Sequence, residues 1–85
     1  MEKSTQYQQV QFEIGSVYSA HTPGNQHYGD YKVVDRTPFT ISVLLIGVNF
    51  RVTKKNLATW DGVEVILPLG HYSTAPVLRA SSLVS

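Results

Sequence analysis

The residues of this chain that could bind a metal or exchange protons are few. With no cysteine present, the three histidines, His21, His27 and His71, are the only neutral metal ligands. His21 and His27 flank a Pro-Gly loop rather than sharing one face of a helix, and this spacing is not that of a zinc site. We therefore expect neither a metal nor any other cofactor.

The acidic residues do not indicate a general acid–base pair, which needs two carboxyl groups in one cleft. The candidates are Asp30, Asp35, Asp61 and Glu64. Asp30 and Asp61 each adjoin a glycine, a turn placement in which the carboxylate caps nearby backbone. The sequence also lacks a G-x-S-x-G motif, an H-E-x-x-H motif and a glycine-rich loop leading into a helix. These observations predict a protein that is not an enzyme.

Several basic residues on or beside predicted strands could bind phosphates: Lys32, Arg36, Arg51, Lys54 and Lys55. The alternative is a solvated sheet face on which cations keep the strand edges soluble. The net charge is only +1, from seven Lys and Arg against six Asp and Glu, which is below the basicity typical of nucleic-acid-binding domains. Direct nucleic-acid binding is therefore the second of two functional hypotheses.

Aromatic residues near predicted turns are candidates for binding another protein: Tyr28, Tyr31, Trp60 and Tyr72. Interface energy concentrates in such anchors, although aromatic residues at turns also often pack inside. Charged residues make up 15% of the chain, so Ser, Thr, Gln, Asn and Tyr must supply much of the polar surface. A surface of this kind suits contact with another molecule.

Hydrophobic periodicity predicts an all-β chain whose strands position these side chains. From Tyr31 onward, β-branched and aromatic residues recur at every second position, and no stretch repeats apolar residues at helical spacing. The predicted strands span residues 17–20, 31–36, 39–46, 48–55 and 63–67, residues 56–59 form a helical turn, and residues 72–80 close the domain. About five short strands fit a strongly bent antiparallel sheet or an SH3-like barrel, with an OB-like barrel as the alternative.

One hairpin determines the predicted core. A two-residue turn at residues 46–47 would place Val43 opposite Phe50. Alternation along the second strand then directs Arg51, Thr53 and Lys55 to the outer face. The residues predicted to share one core are Phe39, Ile41, Val43, Val48, Phe50, Val52, Val63 and Val65.

The chain is predicted to form one domain. Residues 1–11 are polar and predict a flexible N-terminal segment, residues 12–80 form a single β domain, and residues 81–85 form a C-terminal tail. The longest apolar run, residues 41–48, is far shorter than the roughly 18 to 20 residues of a membrane-spanning helix. The N-terminal segment also lacks the apolar core of a secretory signal. We expect a cytoplasmic protein without a membrane partner.

A pattern that runs from Ile14 to Ala80 resembles that of a group of short, functionally uncharacterised proteins of bacteriophages, plasmids and integrated elements. It reads I/V-G-x-x-Y at residues 14–18, V-V-x-R-T-x-x-T at residues 33–40, D-G-x-E at residues 61–64, and P-x-G-x-Y-S-x-A-P-V-L-x-A at residues 68–80. Members of the group often carry cysteines in the segment that here spans residues 21–30, and Met at the position of Thr74. A thiol-based metal role therefore does not carry over to this chain.

The resemblance implies an origin in a mobile element. Small phage and plasmid proteins without catalytic residues commonly bind a host or defence complex and block it. The leading hypothesis is therefore a non-enzymatic inhibitor of the anti-CRISPR or anti-restriction type that occludes a surface of a bacterial protein or of a protein–nucleic-acid complex. The alternative is a small nucleic-acid-binding β-barrel that uses its basic residues on phosphates and an aromatic residue on a base.

Overall fold

The computed structural model describes residues 10–84, which form seven β-strands and no helix. The strands are β1 (Val17–His21), β2 (His27–Arg36), β3 (Thr40–Leu45), β4 (Phe50–Asn56), β5 (Ala58–Trp60), β6 (Val63–Ile66) and β7 (Val77–Leu83). They pair antiparallel in one sheet, in the order β4-β3-β2-β1-β7-β6-β5. The predicted all-β fold with a strongly bent antiparallel sheet is confirmed, with seven strands instead of about five. A helix with the length and apolar character to span a bilayer is absent from residues 10–84.

Irregular pairing curls the sheet into a half-barrel. A β-bulge or register shift interrupts the β1–β2, β1–β7, β2–β3 and β3–β4 pairings. An extra residue in one strand bends that strand and increases its local twist, so these interruptions act together to curl the sheet. The two edge strands, β4 and β5, are consecutive in the chain and are separated only by Leu57. The chain therefore links the two edges of the curled sheet directly.

The β3–β4 hairpin differs from the prediction in the length of its turn. Residues 46–49 form the turn, so Val43 faces Val52 instead of Phe50. The predicted register is thus wrong by two residues. A shift of two preserves the face of each side chain, which is why Val52 is buried and Arg51 is exposed as expected.

Two further predictions about the elements are wrong. Residues 56–59, predicted as a helical turn, contribute to β5, which pairs with β6 from Ala58 to Trp60. This pairing outweighs the weak local helix preference of the segment. The last strand begins at Val77 and continues to Leu83, so residues 81–83 of the predicted C-terminal tail belong to the sheet.

The core lies on the concave face of the sheet. Its buried members are Phe12, Tyr18, Ala20, Tyr31, Val33, Ile41, Val43, Val52, Ile66, Leu78 and Ala80. Of the predicted set, the buried members are Ile41, Val43, Val52 and Val65, while Val63 is partly buried. The prediction is wrong for Phe39, Val48 and Phe50, whose side chains are 78%, 68% and 51% exposed. These three residues lie in or directly beside turns, where the chain leaves the concave face.

The chain before β1 is held against β6. Val10 forms a parallel bridge with Val63, and the Glu64 N–H donates to the Val10 carbonyl at 2.9 Å. Phe12 then enters the core, with its ring edge-on to Tyr18 and 4.9 Å between the ring centroids. Within the predicted N-terminal segment, Val10 is thus paired with the sheet, and residues 1–9 lie outside the described residues.

Candidate functional site

The structure brings together three of the four predicted aromatic anchors. Tyr28 and Tyr72 are 43% and 49% exposed, whereas Tyr31 is completely buried. Burial, with a smaller effect of the nearby Tyr28 and Tyr72 phenols, raises the pKa of Tyr31 to about 12. The three phenol groups therefore share one neighbourhood. The fourth anchor, Trp60, lies on β5, four strands from β2 in the sheet order, with the Arg79 guanidinium carbon 5.8 Å from its ring centroid.

A row of side chains leads from the core to the surface beside these tyrosines. Tyr18 pairs with Tyr31, Tyr31 pairs with Leu45, and Leu45 pairs with Phe50, across β1 to β4. The first two residues are buried, Leu45 is partly buried and Phe50 is half exposed. Because β4 is an edge of the sheet, no further strand of residues 10–84 covers the end of the row. We define the aromatic patch as Tyr28, Tyr31, Leu45, Phe50 and Tyr72.

The neighbouring backbone helps to build the aromatic patch. A Cβ atom at Gly29 would lie 2.9 Å from Leu45 Cδ1, so the glycine leaves the space into which Leu45 packs. The turn after Leu45 is joined to β2 because the Ile46 N–H donates to the Asp30 carbonyl at 2.9 Å. Ile46 and Val48 in this turn are themselves exposed. The surface that continues the patch is therefore apolar.

The two buried tyrosines of the row differ in hydrogen bonding. The Tyr18 hydroxyl accepts a hydrogen bond from the Glu13 N–H at 2.8 Å. The buried Tyr31 hydroxyl has no hydrogen-bond partner among the described residues. Such a group costs about 1 to 3 kcal/mol in desolvation, and buried polar groups in folded proteins are nearly always paired. The Tyr31 hydroxyl is thus a polar atom held just beneath an apolar surface.

The basic residues do not all share one face. Lys32 on β2 and Arg51 on β4 are both exposed and both pair with Leu44 of the strand between them. Arg36 is instead engaged in a bidentate ion pair with Glu64, at 2.7 Å from Nη1 to Oε1 and 3.0 Å from Nη2 to Oε2. The donors of the Arg36 guanidinium are therefore directed into the protein, away from the surface that carries Lys32 and Arg51.

The Arg36–Glu64 ion pair also holds the segment that precedes β1. Glu64 Oε1 accepts a hydrogen bond from the Phe12 N–H at 2.8 Å, and Arg36 Nη1 donates to the Phe12 carbonyl at 2.8 Å. Glu64 is almost fully buried, and its hydrogen bonds raise the pKa of Arg36. The D-G-x-E segment thus supplies a structural carboxylate to the interior of the half-barrel.

The remaining basic residues lie around a bulge in β4. Lys54 has a left-handed backbone (φ 54°), and its N–H donates to Ser42 Oγ at 3.1 Å. The bulge interrupts the alternation of β4, so Lys55 pairs with Ile41, and its side chain is partly buried. Lys55 lines a cleft of about 350 Å³ together with Asn56, Leu67, Gly70 and His71. The expected outward alternation of Arg51, Thr53 and Lys55 therefore ends at the bulge.

The other two histidines lie near Asp30. Asp30 Oδ1 accepts a hydrogen bond from the Ser19 hydroxyl at 2.8 Å and lies 2.9 Å from His27 Nε2. The hydrogen bonds with His27 and Ser19 both lower the pKa of Asp30, and the bond with His27 has the larger effect. The His21 and His27 rings are edge-on, with 5.7 Å between their centroids. Within the described part of the chain, no group of three or more histidines and carboxylates could hold a metal ion.

The periodicity of the sequence did not identify Phe50 as a surface residue or the cleft around Lys55 and His71. Phe50 lies on the same face of β4 as the buried Val52, and it is exposed only because it stands beside a four-residue turn. The chain matches no protein-family model, no curated protein and no solved structure.

Proposed function

We propose that this chain is a non-enzymatic binding protein of mobile-element origin that occludes a surface of a bacterial host or defence protein in the cytoplasm. The observation that supports this proposal is the aromatic patch, where the half-exposed Tyr28 and Tyr72 lie near the buried Tyr31 and the half-exposed Phe50 ends the row that runs from Tyr31 through Leu45. Single exposed apolar residues are ordinary, but a cluster of large ones is typical of an interaction site. Inhibition by occlusion requires only such a binding surface.

The chemistry of the patch favours a protein partner. Tyrosine and other aromatic residues are enriched where interface energy concentrates, and charged residues are depleted there. Ile46 and Val48 extend the apolar surface of the patch. The nearby Asp30 carboxylate is hydrogen-bonded to His27 and Ser19 and is thus already partnered within the protein. A protein surface with complementary apolar side chains is the partner that this arrangement fits.

Direct nucleic-acid binding has weaker support. Lys32 and Arg51 lie two strands apart on one face, but Arg36 is bound to Glu64 and Lys55 is turned toward a cleft. Salt-sensitive binding normally involves about six or more phosphate contacts. The cations that share this face are too few to supply that number.

The test combines capture with a defence assay. The tagged chain is used to capture its partner from lysates of defended bacteria, beside a Tyr28→Ala/Tyr72→Ala variant and a Phe39→Ala control. Phe39 is a still more exposed aromatic residue that lies in the β2–β3 turn, outside the patch. We expect the double variant to lose affinity by about 30-fold, as for a hot-spot loss of about 2 kcal/mol. The control should bind like the original chain.

The same variants are expressed in hosts that carry a CRISPR or restriction system. The original chain and the Phe39→Ala control should restore phage infection or plasmid transfer, and the double variant should not. The proposal fails if no specific partner is recovered or if expression does not change infection. It also fails if capture is lost on Lys32→Ala/Arg51→Ala substitution and the affinity depends strongly on salt. For nucleic acid, the logarithm of the affinity falls by roughly 0.7 to 0.9 per neutralised phosphate for each tenfold rise in salt concentration, so that result identifies nucleic acid as the ligand.

A further inference from the structure

The cleft beside β4 has the size of a site for one small chemical group. It is a solvent-open depression of about 350 Å³ between the end of β4, which supplies Lys55 and Asn56, and the loop between β6 and β7. Ligand pockets in proteins range from about 300 to 1,000 Å³, so this cleft is at the small end of that range. It can hold a group of the size of one side chain.

The local backbone directs Lys55 into the cleft. A left-handed conformation is uncommon for a residue other than glycine, and Lys54 adopts it at φ 54°. The bulge that results re-aims the following side chain, as bulges beside functional sites often do. On the opposite wall, Gly70 has φ 99°, a conformation that its missing side chain permits. Both walls of the cleft are thus formed at backbone positions that regular strands do not contain.

The polar groups of the cleft suit an anionic acceptor. The Lys55 ammonium and the Asn56 amide can donate hydrogen bonds, as can the His71 imidazole, and none of the carboxylates in residues 10–84 lines the cleft. Within residues 10–84, Lys55 makes no ion pair, in contrast to Arg36, which is neutralised by Glu64. An ammonium without a counter-ion attracts a negatively charged ligand. Leu67 adds an apolar wall to this set of donors.

We infer that the cleft binds a carboxylate carried on a short apolar stem. The carboxylate would accept hydrogen bonds from Lys55 and Asn56, and the stem would contact Leu67. Two sources have this chemistry: a glutamate side chain of a partner protein and a free short-chain carboxylic acid. The inference uses residues outside the aromatic patch and stands whether or not the patch binds a protein.

The test is a titration of the full chain followed by amide NMR. The probes are acetate, butyrate and a glutamate blocked at both backbone ends, with inorganic phosphate as a competing anion and chloride used to hold ionic strength constant. We expect saturable shifts of the Gly70 and His71 amides, with butyrate and blocked glutamate tighter than acetate. Lys55→Gln should weaken binding by about tenfold or more, because it removes a charge-assisted hydrogen bond.

Lys54→Gln is the matched control, because it removes the same charge from the adjacent residue, which does not line the cleft. It should change the affinity by less than about twofold, as expected for an exposed charge. The amide spectrum of each variant also reports whether it is folded. Tighter binding of blocked glutamate than of butyrate identifies the side chain of a partner as the source, and the reverse identifies a free acid. Shifts that do not saturate, equal losses in the two lysine variants, or tighter binding of phosphate than of every carboxylate would each overturn the inference.

Discussion

The hydroxyl of Tyr31 provides a sharp test of the structure, because removing it should stabilise the protein. In the folded chain this hydroxyl is buried without a hydrogen-bond partner among the described residues, whereas in the unfolded chain it binds water. Tyr31→Phe removes the desolvation cost and leaves the packing of the ring in place. We expect a gain of about 1 kcal/mol in the free energy of unfolding at neutral pH, at the lower end of the cost of an unpaired group.

Alkaline pH should enlarge this difference. The pKa of Tyr31 is about 12 in the folded chain and about 10 in the unfolded chain. Because folding raises this pKa, the folded chain holds the phenol proton more tightly than the unfolded chain does. The resulting stability is complete below about pH 10 and is lost as the pH rises toward about 12. Each pH unit in this interval costs about 1.4 kcal/mol, so the original chain should lose about 2 to 3 kcal/mol there through Tyr31. Tyr31→Phe should lack this part of the alkaline loss.

Tyr18 is the matched control, because it is equally buried and pairs with Tyr31 across β1 and β2. Its hydroxyl accepts a hydrogen bond from the Glu13 N–H, so Tyr18→Phe should destabilise the protein by about 0.5 to 1.5 kcal/mol. Urea unfolding of the three proteins at neutral pH and near pH 11, where about 1.4 kcal/mol of the alkaline loss is expected, measures both effects. A loss of 1 kcal/mol or more in Tyr31→Phe at neutral pH, with an unchanged alkaline slope, would refute the reasoning.

Two further predictions concern stability. Arg36→Ala should cost about 3 to 5 kcal/mol, because it leaves the buried Glu64 carboxylate without its cation. Glu64→Ala should cost less, because the Arg36 side chain that it leaves unpaired is 16% exposed. A double-mutant cycle should give a coupling of more than about 1 kcal/mol. Additive losses would show that the two side chains do not interact. Ile41→Ala should cost about 2 to 5 kcal/mol, but Phe50→Ala only about 1 kcal/mol, since half of the Phe50 side chain is already exposed. Thermal melts that rank these two variants in the reverse order would contradict the observed hairpin register.

The alternation of side chains was predictable from the sequence because it depends only on the pleat of a strand. Val52 is buried and Arg51 is exposed even though the predicted pairing was wrong by two residues. The turn length was not predictable from periodicity, since turns of two and four residues give the same parity. That difference alone moves Phe50 from the expected core to the end of a row at the sheet edge. The error in one turn thus concealed part of the candidate site.

The positions of the basic residues could not be predicted from the sequence either. Arg36 and Glu64 are distant in the chain, so their ion pair follows from how the sheet curls. The bulge at Lys54 depends on a hydrogen bond to Ser42 of the neighbouring strand. Simple alternation predicted one basic face, whereas tertiary contacts divide its residues among the surface, the interior and a cleft. Local patterns cannot contain that information, because each contact requires a residue from another strand.

The sequence pattern at residues 14–18, 33–40, 61–64 and 68–80 contains many residues that build the half-barrel. Arg36 and Glu64 form the buried ion pair, and the Tyr18 hydroxyl binds the chain before β1. The Thr37 hydroxyl accepts hydrogen bonds from the backbone in the β2–β3 turn, and Thr37 and Thr40 bond to each other through their hydroxyls, 2.9 Å apart. Their roles in folding are sufficient to explain why these residue types occupy these positions. They therefore carry no information about a partner.

Tyr72 differs from these residues. It lies in the most specific block of the pattern, between Pro68 and Ala80, where Ala75, Pro76, Val77 and Leu78 are all buried. About half of the Tyr72 side chain is exposed, beside the buried phenol of Tyr31. A core role explains its buried neighbours, but the exposed ring of Tyr72 gains little from folding. Under the proposed function this exposed ring contacts the partner, which is why the capture experiment replaces Tyr72 and leaves its buried neighbours unchanged.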